Sequence, residues 1–118
     1  MKYMLLIWTN PENWDAVPAG EYAEYMALDK ALLETGELIV SAELADPVTS
    51  RTVRVRDGVA ATTDGPFLEA KEHLAGYFLV ECESLERALA VAAMIPAARA
   101  EDERVEVRSV MDTAGLEM

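Results

Sequence analysis

Cysteine is almost missing from this chain. Cys82 is the only one in 118 residues, so no disulfide can form within it. Histidine is as scarce, with His73 alone. A zinc or iron centre built on histidines or paired cysteines lacks its ligands, so neither metal nor cofactor is expected. Basic residues are also few: 10 Lys and Arg stand against 22 Asp and Glu, a net charge of -12. Such a surface repels a phosphate backbone or an anionic bilayer on average, which argues against direct nucleic-acid or membrane binding. The phosphate loop and the dinucleotide glycine fingerprint are absent. No apolar run approaches the roughly 20 residues of a membrane-spanning helix. The run from Met1 to Trp8 is too short for a signal peptide and ends at Thr9-Asn10-Pro11 with no small-residue cleavage site. The cytoplasm is the expected location, and Cys82 is expected as a small buried hydrophobe.

What is present is enough apolar material for a core, 52% of the residues, in one domain spanning 1–118. Tyr3 to Trp8 is continuously apolar, the pattern of a central strand covered on both faces. Asn10-Pro11 resembles a short helix start before Pro18 and Gly20 interrupt. A longer helix is expected from about Glu21 to Glu34, stopped by Gly36. At 100° per residue its apolar face holds Tyr22, Tyr25, Met26, Leu32 and Leu33, with Asp29 inside it. A carboxylate there needs a hydrogen-bond donor, and a tyrosine hydroxyl is one candidate.

Leu38 to Leu44 forms the second expected strand. Arg51–Arg56 and Val59–Thr63 flank Asp57-Gly58, a strong hairpin signal. Gly76 to Cys82 is another strand. Ser84 caps a second helix with Leu85, Ala88, Leu89, Ala92 and Ile95 inward, and Arg104 to Val110 alternates as the last strand. Met111 to Met118 is expected as a tail or an arm on a partner subunit. With the hairpin set aside, the order is the ferredoxin-like split β-α-β plan of an α+β domain. Two helices cover one sheet face only. The apolar first strand therefore implies a homodimer that covers the other.

The chemistry-bearing stretch is Asp64-Gly65-Pro66-Phe67, followed by Glu69, Lys71, Glu72 and His73. Gly65 accepts backbone angles other residues resist, and Pro66 excludes it from the helical region. Asp64 supplies an acceptor for its own backbone two residues on, and Phe67 an apolar anchor expected beneath the turn. The available chemistry is that of carboxylates and tyrosines. Asp64, Asp29, Glu43 and Glu72 are candidate acids or bases, and Tyr25 and Tyr77 candidate donors. Lys71 or an arginine would hold an anionic substrate. Gly65, Pro66, Phe67, Lys71, Glu43 and Tyr77 are the expected ligand-binding residues around Asp64.

Several blocks, in order, resemble one family. They are Met1-Lys2-Tyr3-Met4-Leu5-Leu6-Ile7, Thr52 to Gly58, Thr63-Asp64-Gly65-Pro66-Phe67, Lys71-Glu72, Gly76-Tyr77, Ile95 to Arg99 and Val105 to Arg108. Across almost the whole chain the sequence is similar to the DGPF-motif branch of the YCII-related family. The resemblance implies a ferredoxin-like domain that pairs into a dimeric α/β barrel. It implies no settled activity: members of this branch are typically uncharacterised and often encoded beside extracytoplasmic-function sigma factors. A related YCII-type protein is a dehydrochlorinase of a chlorinated hydroxymuconate. Other members carry a histidine on the first helix, paired with an aspartate as a proposed acid/base site. Counting back from Gly36, that histidine's place falls at Tyr25, and the branch commonly has glutamine at His73. Asp64 matches the branch's own motif. Two functions follow. One is a small-molecule pocket near that motif, with lyase- or hydrolase-like acid/base chemistry on small organic acids. The other is a non-catalytic binding or accessory module acting beside a sigma factor.

Overall fold

The computed structural model describes residues 1–10, 19–65 and 72–111. The helix start expected at Asn10-Pro11 lies outside these residues from Pro11 on, as do Pro66, Phe67, Glu69, Lys71 and most of the Met111–Met118 tail. The elements are β1 (Lys2–Thr9), α1 (Ala19–Thr35), β2 (Leu38–Glu43), β3 (Arg51–Arg56), β4 (Val59–Asp64), β5 (His73–Glu81), α2 (Leu85–Met94) and β6 (Glu103–Ser109). Short 3₁₀ turns at Pro47–Thr49 and Pro96–Arg99 complete them. Four strands form an antiparallel sheet in the order β2-β5-β1-β6, the ferredoxin-like arrangement. β3 and β4 form a separate two-stranded sheet. Asp57 (φ 51°) and Gly58 (φ 77°) make the tight turn that the Asp-Gly pair signals.

β1 alternates, although its sequence does not. Tyr3, Leu5, Ile7 and Thr9 are buried, whereas Met4, Leu6 and Trp8 are only partly so. The helices sit over Tyr3, Leu5, Ile7 and Thr9, while Met4, Leu6 and Trp8 point out of the opposite sheet face. The expectation of cover on both faces thus fails within one chain: the run is apolar because both faces are apolar, not because both are closed. On the helix side, Tyr3, Leu5, Ile7, Phe78 and Val80 pack against Leu28 and Leu32 of α1 and against Ala88, Val91, Ala92 and Ile95. Each fully buried aliphatic side chain contributes about 1.5–3 kcal/mol.

Both helical stripes are rotated from the expected ones. In α1 the inward positions are Glu21, Tyr25, Leu28, Asp29 and Leu32, while Tyr22, Met26 and Leu33 are exposed. In α2 Val91 is buried, and Leu85 and Leu89 are half-exposed. The wheel identifies an apolar sector, but the sheet decides which edge of that sector is covered. α1 ends as expected at Gly36, where Gly36 N–H donates to Leu33 O (3.1 Å) and Glu37 N–H to Leu32 O (3.0 Å). Ser84 caps α2 by accepting from Arg87 N–H at 3.1 Å. Arg87 then grips Glu37 with two bonds, Nε at 2.9 Å and Nη2 at 2.8 Å, tying the start of α2 to the end of α1. Cys82 is buried as expected, and burial pushes its thiol pKa up.

Candidate functional site

The first half of α1 and the helix-side face of the sheet enclose a cleft of about 330 Å³. Its floor comes from Ile7, Ala75, Gly76 and Phe78, and its helical wall from Glu21, Tyr22, Tyr25, Met26 and Asp29. Ser41 and Glu43 enter from β2 and Glu103 from β6. Strand parity explains this set. Ser41, Glu43 and Glu103 pair with Phe78, Gly76 and Thr9, so all three lie on the helix side. A register shift beside Ile7 leaves Ala75 unpaired with β1, and its carbonyl accepts from Leu44 N–H at 2.8 Å. Gly76 is required by proximity: a Cβ there would sit 2.6 Å from the Ala42 carbonyl oxygen.

The cleft is acidic. Glu21, Asp29, Glu43 and Glu103 line it, and no Lys or Arg does among the described residues. Asp29 accepts a hydrogen bond from Ser41 Oγ at 3.0 Å, so its donor is a serine across the cleft rather than a tyrosine on its own helix. The Tyr25 ring stacks on Phe78, with centroids 6.5 Å apart. Burial, and then the neighbouring Glu103, Glu21 and Glu43 carboxylates, push the Tyr25 phenol up to about 12, although the Ala97 amide pulls the other way. Tyr25 therefore stays protonated at neutral pH and acts as a donor. Burial first, then Glu21 and Asp102, raise the pKa of Glu103, so this carboxyl keeps its proton to a higher pH than an exposed one.

The expected site residues divide. Tyr25, Asp29 and Glu43 meet at this cleft, whereas Tyr77 borders it from β5 but pairs with Leu6, which turns its side chain to the opposite sheet face. Asp64 does not line it. It ends β4, its side chain is 88% exposed, and it pairs with Arg51 Nε at 3.1 Å. The expected bond to its backbone two residues on has no donor, because that residue is Pro66, which lacks an N–H. Gly65 has φ 88°, donates to Ser50 O at 2.7 Å and accepts from Thr52 Oγ1 at 3.2 Å. Ser50 and Thr52 also line a second, more open recess with His73, Leu74, Leu44 and Pro47. Glu72 faces Arg104 at 2.8 Å, an exposed ion pair. Pro66, Phe67 and Lys71 fall outside the described residues.

Glu21, Glu103, Ser41, Tyr22 and Met26 were not expected at the site. Glu103 was legible: it shares the inward parity of Val105 and Val107. Ser41 and Glu43 likewise share one parity. Nothing in the sequence indicated that α1 and the sheet leave space between them.

These features define the class: a ferredoxin-like α+β domain with a carboxylate- and tyrosine-lined cleft between its first helix and its sheet. The YCII-related domain model matches residues 1–114, and the chain belongs to the YCII-related family. It is similar to an uncharacterised protein of Rhizobium meliloti, 38% identical over 63 residues, which are 53% of this chain and 51% of that protein. The chain thus matches about half the length of this curated relative.

Proposed function

We propose that the cleft beneath α1 is a small-molecule site, and that its chemistry is proton transfer between carboxylates and a bound ligand. The observation that carries this reading is the convergence of Tyr25, Asp29, Glu43 and Glu103, from three separate elements, on one concave space. Tyr25 donates a hydrogen bond to the ligand, Asp29 and Glu43 accept from its hydroxyl or amine groups, and Glu103 is the proton carrier. This favours lyase- or hydrolase-like acid/base steps. An organic acid would fit only with a cation, which none of the described lining residues supplies. The motif around Asp64 supports placing the chain in the DGPF branch.

The test is a thermal-shift screen of hydroxylated amines and organic acids, followed by assay of consumption of any binder. A ligand at 100 times its Kd adds about 2.7 kcal/mol of stability. Tyr25→Phe and Glu103→Gln are expected to lose that shift while remaining folded. Equal shifts in all three proteins would place the binding site elsewhere. A binder that is never consumed would support the second reading, an accessory module acting beside a sigma factor. That reading is favoured by Tyr25, whose phenol at about 12 is no base at neutral pH. We also propose a homodimer in the cytoplasm, closed by the outer sheet face into a dimeric α/β barrel.

A further inference from the structure

Hairpins of two strands are marginal in water unless something packs on them. The β3–β4 hairpin has Val53, Val55 and Val59 at 61%, 64% and 68% exposure, and no other described element packs broadly on either face. Six residues per strand give it a reach of about 20 Å. Its charge is opposite to that of the body. It holds three of the ten basic residues, Arg51, Arg54 and Arg56, against only two of the twenty-two acidic ones, Asp57 and Asp64. Strand parity puts Arg54, Arg56 and Val59 on one face. The cleft beneath α1 is complementary to that face, with four carboxylates, no lining cation among the described residues, and the exposed side chains of Tyr22 and Met26 at its edge.

We propose that the hairpin is an arm that docks on a second copy of this chain, laying its arginine face over the partner copy's cleft. Apolar contact with the cleft edge would cover Val59, and the arginines would offset the crowded carboxylates. The cleft is then completed only in the dimer, and an arginine from the other copy becomes the cation that holds an anionic substrate group. This rests on reading the cleft as a ligand site, but arm docking can be measured without any ligand.

The experiment mixes two tagged versions of the chain, one with Val59→Cys on the arm and one with Met26→Cys at the cleft edge, and adds a short bis-maleimide. Cys82 is buried, and the unsubstituted chain controls for its reaction. A covalent heterodimer is expected in the mixture and not in either sample alone. Adding Arg54→Glu and Arg56→Glu to the arm chain should cut its yield about tenfold, as should roughly 1 M NaCl. Circular dichroism melts would establish that the variants are folded. No cross-link, linkage of arm to arm in the Val59→Cys sample, or a yield indifferent to charge reversal would each overturn the proposal. If the cross-link forms but the ligand screen is silent, the arm docks and the cleft reading alone fails.

Discussion

Tyr25 gathers the physics of the cleft into one side chain. Half-buried against Phe78 and surrounded by carboxylates, it titrates near 12 when folded, against 10 for the ordinary phenol. The folded state holds this proton more tightly than the unfolded chain. The stability linked to it is complete below pH 10 and is lost as the pH rises through about 12. Denaturant unfolding across that range should show the loss in the native chain and its disappearance in Tyr25→Phe. Asp64 is the opposite case. Its ion pair with Arg51 is open to solvent, and such pairs are worth little. Asp64→Asn is expected to cost no more than about 0.5 kcal/mol by thermal melt and to leave ligand binding in the cleft unchanged. The sequence marked both residues but could not rank them, because ranking depends on burial.

At the scale of elements, β2 and β5 approach closely at Gly76, on the floor of the cleft. Gly76→Ala would force a methyl group against the Ala42 carbonyl oxygen and should cost about 1–3 kcal/mol, measured by denaturant midpoint. The α1–α2 corner is held by Glu37. The Arg87 guanidinium, aided by the Thr35 hydroxyl, draws the Glu37 carboxyl down from 4.5 to about 2. A depressed carboxyl contributes stability above its unfolded value, and that contribution is lost as the pH falls from 4.5 through about 2. Glu37→Gln should flatten the acid side of the stability profile. Gly36, Ser84 and Asp57-Gly58 were legible because each is a local signal read by the backbone alone. The helix stripes were read one edge off because an apolar sector wider than the contact surface does not say which edge the sheet covers.

At the scale of the molecule, one sheet face is covered by the helices and the other shows Met4, Leu6, Trp8, Tyr77 and Leu79 only partly buried. The Trp8 indole N–H donates to Glu106 at 3.1 Å, so even its polar edge is satisfied within that face. A face this apolar on an otherwise highly charged protein calls for cover. Analytical ultracentrifugation at micromolar concentration is expected to give twice the chain mass of 12.9 kDa. A clean monomer would reject both the dimer and the arm.

The elements, their order and the ends of the helices were readable from short-range chemistry alone: caps, turns and the period of apolar residues. The sequence by itself determined the net charge and, with a single cysteine, the lack of a disulfide framework. Tertiary structure decided where the candidate site lies. Glu21, Asp29, Glu43 and Glu103 are scattered over more than eighty positions, and only the antiparallel register brings them to one cleft. The motif residue Asp64, prominent in the sequence, ends at the surface because it closes a two-stranded hairpin separate from the four-stranded sheet. Local chemistry fixes what a segment becomes, but which side chains share a space is settled by long-range pairing.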